Sequence, residues 1–235
     1  MAAQRLPGKP LLKINNLPII SHVVDRAKDS GVGEVVVCAE DKEIVSVVEK
    51  NGGKAILTGS HHKNGTERIY EGIQKLKKKG IDFVLSLQGD EPTVQPKDIV
   101  RLNNLMIENN AEIGTLAAEI KNESMMKNRN VVKVITKEKL NNYNFAKASN
   151  FLRIYESKEN LNIYHHIGIY CYKFSILEKF VALDQTENEN KNSLEQFRAL
   201  DNNININVAL ASTSPIGIDT NEDYLELKKI MEYKP

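Results

Sequence analysis

The chain has 235 residues, of which 41% are hydrophobic, and it is long enough to bury the core of one large domain. Its 32 lysines and arginines nearly balance its 31 aspartates and glutamates, which argues against a nucleic-acid coat protein or a polybasic membrane anchor. No apolar run approaches the about 20 residues that a membrane-spanning helix needs. We therefore expect neither nucleic acid nor membrane as a partner, and any anion site must be local.

Both cysteines, Cys38 and Cys171, lie in apolar runs that indicate buried strands. The first residues show no signal-peptide pattern. We therefore expect free thiols and a cytoplasmic location.

Short apolar strands alternate with helices in the first half of the chain. Hydrophobic periodicity and capping residues predict strands at 35–39, 55–57 and 83–87. They also predict helices at 18–31, at 41–51 and from about 66 into the lysine run at 77–80. Right-handed βαβ units produce this alternation. The sequence thus predicts an α/β fold with a doubly wound, mostly parallel sheet.

The pattern changes in the second half. After a helix at 96–109 and a strand at 113–120, three strands without intervening helices are predicted at 131–136, 144–148 and 167–172. They indicate a mixed or antiparallel insertion at about 121–175 within a single domain spanning 1–235. The remaining elements are predicted as helices at 175–183, 194–200 and 220–231, a strand at 204–210 and a flexible surface loop at 185–192.

The opening loop, Arg-Leu-Pro-Gly-Lys-Pro, carries two cations, Arg5 and Lys9, across a Pro-Gly pair that cannot continue a helix. Free amides, a guanidinium fork and a compact ammonium suit phosphate. The alternative for this stretch is a solvated basic tail.

Two carboxylates stand at positions where a parallel sheet binds ligands. Asp90 lies in Gln-Gly-Asp-Glu-Pro directly after a predicted strand, and Asp219 lies in Gly-Ile-Asp-Thr before the last helix. If they meet, they are candidate ligands of Mg²⁺, which prefers one or two carboxylates together with substrate phosphates. Each segment is also compatible with an ordinary turn or a helix start.

A third segment, Gly-Thr-Glu-Arg, opens a helix, whose N-terminus favours an anion or a carbonyl oxygen. Thr66 is expected as its cap, and Arg68 as a surface cation paired with Glu67 or Glu71. The preceding His61-His62 pair suggests a metal only weakly, since no third ligand stands nearby at a recognised spacing.

Polar residues also mark the second half. His166 and Tyr170 lie in a predicted strand, where a histidine is most simply a satisfied strand-end residue. Glu195 and Arg198 stand one turn apart, as in a surface ion pair of little energetic consequence.

These segments follow one another in an order that resembles the 3-deoxy-manno-octulosonate (Kdo) cytidylyltransferase family, the CMP-Kdo synthetases. The resemblance covers nearly the whole chain and rests on Arg-Leu-Pro-Gly-Lys-Pro, Gly-Thr-Glu-Arg, Gln-Gly-Asp-Glu-Pro, His-x-Gly-Ile-Tyr, Leu-Glu-Gln-x-Arg and Gly-Ile-Asp-Thr. It implies a nucleotide-diphospho-sugar transferase fold, a homodimer, and transfer of CMP from CTP to Kdo for lipopolysaccharide synthesis.

The resemblance also implies a role for each matching residue. Catalysis would involve Arg5, Lys9 and Asp90, and Mg²⁺ would be held by Asp90 and Asp219. CTP would be bound by Arg5, Lys9, Thr66, Arg68, Gln88 and Asp90. Kdo would be bound by His166, Tyr170, Glu195, Gln196 and Lys147.

Two departures from the family pattern are visible. Asn144-Phe145-Ala146-Lys147 stands where Tyr-Phe-Ser-Arg is more usual, so Lys147 keeps the charge and loses the bidentate fork. The family also places a hydrophobic strand and Pro-Ala-Arg before the opening loop, where this sequence has Met1. We therefore expect the first central strand to be missing. The alternatives are a cytidylyltransferase for another sugar acid, of the CMP-sialic acid synthetase type, and a truncated, non-catalytic binder of nucleotide or sugar acid.

Overall fold

The computed structural model describes residues 6–157, 159, 161–215, 217–218 and 220–232. Two of the predicted site residues, Arg5 and Asp219, lie outside the described residues. The predicted absence of a first strand concerns residues before the opening loop and stays a prediction.

The helices and strands follow one another along the chain in this order. A 3₁₀ helix at Lys9–Leu11 precedes β1 (Lys13–Ile14), β2 (Leu17–Pro18), α1 (Ile19–Ser30), β3 (Val37–Ala39), α2 (Lys42–Lys50), β4 (Ala55–Leu57), α3 (Gly65–Leu76), β5 (Phe83–Ser86) and α4 (Pro96–Asn109). Then come β6 (Ile113–Ala118), α5 (Glu123–Lys127), β7 (Lys133–Thr136), β8 (Ala146–Leu152), β9 (Asn162–Lys173), α6 (Phe174–Val181), α7 (Glu187–Asn192), α8 (Gln196–Asp201), β10 (Ile206–Leu210) and α9 (Asn221–Glu232).

The chain divides into two compact units. The first comprises Met1–Lys79, Leu87–Ile99 and Pro215–Pro235, and the second comprises Gly80–Ser86 and Val100–Ser214. The predicted single domain with an insertion at about 121–175 stays a prediction. None of the helices in the described ranges is long and apolar enough to cross a membrane.

The first unit contains an antiparallel β1–β2 ribbon and the parallel pair β3–β4. α1 buries its apolar face and ends at Gly31, whose φ of 65° is a left-handed conformation that glycine adopts readily. Ile14, Ile19, Ile218 and Leu227 are fully buried in one cluster. This cluster fixes the segment after the opening loop, the start of α1, the Gly-Ile-Asp-Thr segment and α9 against one another.

The second unit is built on a six-stranded mixed sheet in the order β5-β9-β6-β10-β8-β7, with a further pairing between β9 and β7. β6 and β10 run parallel, whereas β9 runs antiparallel to β5, β6 and β7. The predicted α/β class is confirmed. The described part of the sheet contains less parallel pairing than the sequence predicts, because β9 lies between β5 and β6 and reverses the direction at both of its edges.

Most of the polar tract at 185–192 is helical, since α7 spans Glu187–Asn192, so its prediction as a flexible loop was wrong. Thr186 caps α7 by accepting a hydrogen bond from the Glu189 backbone N–H at 3.2 Å. Glu189 is only 4% exposed and Arg198 only 1% exposed. The Arg198 guanidinium donates to both Glu189 carboxylate oxygens, at 2.8 and 2.6 Å, so Arg198 belongs to a buried bidentate pair rather than to the predicted surface pair.

Candidate active site

Lys9 joins three of the predicted motifs in the first unit. Its Nζ forms an ion pair with the Asp90 carboxylate and donates to the Ile218 backbone carbonyl at 2.8 Å. The opening loop, the Gln-Gly-Asp-Glu-Pro turn and the Gly-Ile-Asp-Thr segment therefore converge on one ammonium group.

The backbone around Lys9 explains this placement. Gly8 adopts a left-handed φ of 69° and its carbonyl accepts from the Leu11 N–H at 2.8 Å, which closes the 3₁₀ turn that begins at Lys9. On the opposite side, the buried Ile218 donates its N–H to the Asp90 carbonyl at 3.4 Å. The side chains of Lys9 and Asp90 are 16% and 21% exposed, so the pair is sheltered and still accessible to a ligand.

Glu91, next to Asp90, is a buried carboxyl group that the sequence analysis did not single out. Burial of its carboxyl group, reinforced by the Asp90 charge and opposed by Lys9, raises its pKa to about 8. Its Oε2 atom is buried and has no hydrogen-bond partner among the described residues. Glu91 thus keeps its proton at neutral pH, and Asp90 is the partner of Lys9 in this turn. The position of Glu91 inside the Gln-Gly-Asp-Glu-Pro motif is the sequence signal that could have identified it.

Gln88, also predicted to bind nucleotide, begins the same turn. Its side chain is exposed, and its backbone carbonyl accepts from the Glu91 N–H at 3.4 Å. The turn thus presents Gln88 and Asp90 together.

Arg68 links the carboxyl ends of β3 and β4. Its guanidinium donates to Thr58 Oγ1 at 2.8 Å and to the Gly59 carbonyl at 2.9 Å, and it pairs with Glu40 at 2.6 Å. The predicted pairing with Glu67 or Glu71 was wrong, because Glu40 reaches Arg68 from the loop after β3. Arg68 therefore fixes the start of α3 to the strand ends where a parallel sheet binds ligands.

The cap of α3 also differs from the prediction. Asn64 is the N-cap, and its Oδ1 accepts from the Glu67 N–H at 2.9 Å. Thr66 lies two residues further on and is buried, with 4% exposure.

In the second unit, a small pocket gathers three of the predicted sugar-binding residues, namely Tyr170, Glu195 and Gln196. The remainder of its lining is mostly apolar and comprises Ile113, Tyr172, Phe180, Ala199 and Ile206.

A bulge in β9 brings His166 close to Tyr170. Thr115 of β6 pairs with Tyr170, whereas the next residue, Leu116, pairs with Ile167, so the register shifts between them. In a regular strand, residues four apart are separated by about 13 Å. Here the rings of His166 and Tyr170 are 5.4 Å apart, so the bulge allows both side chains to serve one site.

Thr115 determines which nitrogen of His166 carries the proton. The Thr115 hydroxyl donates to the Ile169 carbonyl at 2.7 Å and lies 3.0 Å from His166 Nε2. Since the hydroxyl proton is used for the carbonyl, the hydroxyl oxygen accepts from His166 Nε2–H. Nδ1 is therefore the acceptor nitrogen of this imidazole.

Burial keeps the ring groups of this region uncharged. Burial, followed by the neighbouring His165, lowers the pKa of His166 to about 3. Burial and Lys133 lower the pKa of His165 to about 4. Burial, followed by Tyr172 and Glu195, raises the pKa of Tyr170 well above its usual range, so its hydroxyl remains a donor.

Lys147 lies apart from these groups. It is exposed on β8 between two buried alanines, and its Nζ donates to Asn205 Oδ1 at 3.2 Å. Because neighbouring strand residues face opposite sides of a sheet, Lys147 faces away from the side that Ala146 and Ala148 bury. Its role toward the sugar stays a prediction.

Comparisons with known proteins place this arrangement in a family. The family model described as cytidylyltransferase matches residues 1–206. The 3-deoxy-manno-octulosonate cytidylyltransferase of Thermodesulfovibrio yellowstonii is 43% identical over 231 residues, with 93% of this chain and 90% of that protein covered. The enzyme of the same name from Afipia carboxidovorans is 38% identical over 232 residues, covering 98% and 93%. The chain belongs to the 3-deoxy-manno-octulosonate cytidylyltransferase family.

Solved structures agree with this assignment. A CMP:2-keto-3-deoxy-manno-octonic acid synthetase complexed with CTP matches with a TM-score of 0.86 at 32% identity, covering 97% of this chain and 93% of that chain. A UDP-glucose pyrophosphorylase matches with a TM-score of 0.69 at 14% identity and covers 98% and 94%, which supports the fold alone. The resemblance on which the sequence prediction rested is confirmed, as is the nucleotide-diphospho-sugar transferase fold.

Proposed function

We infer that this chain transfers CMP from CTP to Kdo and releases pyrophosphate. Two observations support the proposal. Relatives named 3-deoxy-manno-octulosonate cytidylyltransferase match over nearly their whole length, and the similar solved structure is a synthetase complexed with CTP. The observation that carries it is the convergence of three family motifs on the ammonium group of Lys9.

Lys9 and the opening loop would bind the nucleotide phosphates. When CTP enters, a phosphate oxygen replaces Asp90 as the anionic partner of Lys9. The anomeric hydroxyl of Kdo then attacks the α-phosphorus in line, so that the new O–P bond forms while the bond to pyrophosphate breaks. Because little covalent chemistry falls to the protein, charge neutralisation and positioning by these residues provide the catalysis.

Asp90 would hold Mg²⁺ together with Asp219, which lies outside the described residues. The donor set fits, since Asp90 offers accessible carboxylate oxygens beside the proposed phosphate loop, and Mg²⁺ takes oxygen ligands from one or two carboxylates and phosphates. Mg²⁺ bound there would neutralise phosphate charge and lower the pKa of the attacking hydroxyl.

The pocket of the second unit would bind the sugar acid. The Tyr170 hydroxyl offers a donor, and Glu195 with Gln196 offers further partners for hydroxyl groups. His166 does not line the pocket, but its ring lies 5.4 Å from that of Tyr170 and offers an acceptor at Nδ1. A polyhydroxylated acid needs such a mixture of donors and acceptors.

Location and assembly follow from the same proposal. We propose a cytoplasmic location, because both Cys38 and Cys171 are free thiols, which fits a reducing compartment. We expect a homodimer by analogy with the family, and light scattering of the purified chain measures its mass directly.

A pyrophosphate-release assay tests the reaction. We expect release only when CTP, Kdo and Mg²⁺ are all present, and much less with UTP in place of CTP. Calorimetric binding of CTP without any pyrophosphate release would instead identify the chain as a non-catalytic binder.

A further inference from the structure

His61 and His62 form a histidine pair that the proposed reaction does not use. The fold of the first unit brings Glu71, one and a half turns into α3, to this pair. One potential ligand atom from each residue lies within 4.8 Å of the other two. The structure thus supplies the third ligand that the sequence spacing did not reveal.

Neighbouring groups orient the Glu71 carboxylate. The Gly59 N–H donates to both Glu71 carboxylate oxygens at 3.2 and 3.0 Å, and Lys75 pairs with Oε1 at 2.6 Å. Oε2 is the oxygen that contacts His62 Nε2. Glu71 is therefore oriented by its neighbours, with Oε2 directed at the histidines.

Gly59 also makes room for His61. A Cβ atom at position 59 would lie 2.5 Å from His61 Nδ1, so only glycine permits this placement of the ring. The rings of His61 and His62 are 4.3 Å apart at an angle of 42°, and the loop ends at the Asn64 cap of α3.

We propose that His61, His62 and Glu71 form a binding site for Zn²⁺ or a similar first-row transition metal ion. Two imidazole nitrogens and one carboxylate oxygen suit such an ion and leave a coordination position for water, whereas Mg²⁺ prefers oxygen ligands alone. The ion would take the place of the hydrogen bond between His62 Nε2 and Glu71 Oε2. Tetrahedral bonds of about 2.0–2.1 Å place ligand atoms about 3.3 Å apart. His61 is exposed, so its ring is free to turn toward the other two ligand atoms.

The ion would tie the loop after β4 to the start of α3. That helix start carries Thr66 and Arg68, so metal binding would stiffen a segment of the proposed nucleotide site. The metal site itself does not depend on the proposed reaction.

Calorimetric titration of the full chain with Zn²⁺ in excess Mg²⁺ tests the proposal, and the visible absorption of bound Co²⁺ reports its coordination. We expect one Zn²⁺ per chain and a Co²⁺ spectrum of low coordination number. Loss of a residue that only supports a metal ligand typically weakens metal binding about 10- to 100-fold. His61→Ala and Glu71→Gln each remove a ligand itself, so each should weaken Zn²⁺ binding by more than about 10-fold.

Two control variants distinguish Zn²⁺ binding at this site from Zn²⁺ binding elsewhere on the chain. Lys63→Ala alters an exposed side chain of the same loop that offers no such ligand, and Asp90→Asn removes the proposed Mg²⁺ ligand; both should keep Zn²⁺ affinity unchanged. His61 is exposed, so His61→Ala should fold normally, and Zn²⁺ should raise the melting temperature of the wild type but not of this variant. Equal Zn²⁺ affinity in the wild type and His61→Ala, no binding by the wild type, or loss of binding in Asp90→Asn would each overturn the proposal.

Discussion

Asp90 is the residue whose replacement tests the nucleotide site most simply. It pairs with Lys9 and would hold Mg²⁺, so Asp90→Asn should lower turnover more than about 100-fold, as expected when several kcal/mol of charge stabilisation is removed. Circular dichroism and thermal melting should show an intact fold. Asp184→Asn, at an exposed position, is the control and should leave turnover unchanged. Substantial Mg²⁺-dependent activity in Asp90→Asn would refute the metal assignment.

If His166 contacts Kdo as proposed, Thr115 would act through it as a positioning residue. Thr115→Val leaves the His166 Nε2–H without its buried acceptor, which costs about 1–3 kcal/mol. We expect the KM for Kdo to rise while the KM for CTP stays unchanged, because the imidazole loses its fixed tautomer and orientation. Thr115→Ser keeps the hydroxyl group and should restore the KM for Kdo. Equal increases in both KM values would indicate a general structural defect instead.

The lowered pKa of His166 predicts how the stability of the fold depends on pH. Its value is lowered from 6.5 to about 3 in the folded chain, so below pH 6.5 the unfolded chain binds a proton at this position that the folded chain does not. Stability must therefore fall as the pH falls from 6.5 toward 3.

Urea denaturation at pH 6.5 and 4.5 measures this effect. The wild type should lose about 2 kcal/mol more than His166→Asn between these two values, since Asn cannot titrate. An equal loss in both proteins would show that His166 is not held neutral by the fold.

At the level of elements, α7 and α8 depend on the buried pair of Glu189 and Arg198. The Arg198 guanidinium also stacks over the Phe180 ring, with 5.0 Å between its central carbon and the ring centroid. Because α8 begins at Gln196, the pair fixes the start of the helix that lines the second-unit pocket.

Breaking this pair should be costly. Arg198→Met leaves the Glu189 carboxylate buried without its cation and should lower the free energy of unfolding by about 3–5 kcal/mol. The double variant Arg198→Met with Glu189→Leu removes both charges and should recover much of that loss. Denaturant unfolding of the single and double variants checks this. If the single variant costs less than about 1 kcal/mol, the pair behaves as a surface pair.

Element prediction from the sequence succeeded where one physical signal dominates. The helix at 96–109 and the strand at 55–57 have the predicted bounds, because apolar periodicity and flanking turn residues define them. α7 was missed because its single buried side chain, Glu189, is polar and meets its partner nine residues later in the chain. β9 begins at Asn162 rather than Ile167, because His165 and His166 interrupt the apolar pattern that predicted it.

For the molecule as a whole, the resemblance of the ordered motifs to a family predicted which residues form the site. The spacing of those motifs in the sequence could not have predicted it. Lys9 and Asp90 are separated by 81 positions, so their contact depends on the fold, and only the family resemblance linked them beforehand. Glu91 and the metal-binding potential of Glu71 were not predicted, since both depend on which side chains burial and loop geometry bring together.

The central claim is that the whole chain is a Kdo cytidylyltransferase, and a competition reaction tests it most directly. The purified chain is incubated with CTP, Mg²⁺ and equal amounts of Kdo and N-acetylneuraminate, and the nucleotide sugars are identified by mass spectrometry. We predict that CMP-Kdo accumulates and that CMP-N-acetylneuraminate does not. Predominant formation of CMP-N-acetylneuraminate, or consumption of neither sugar acid, would contradict the claim.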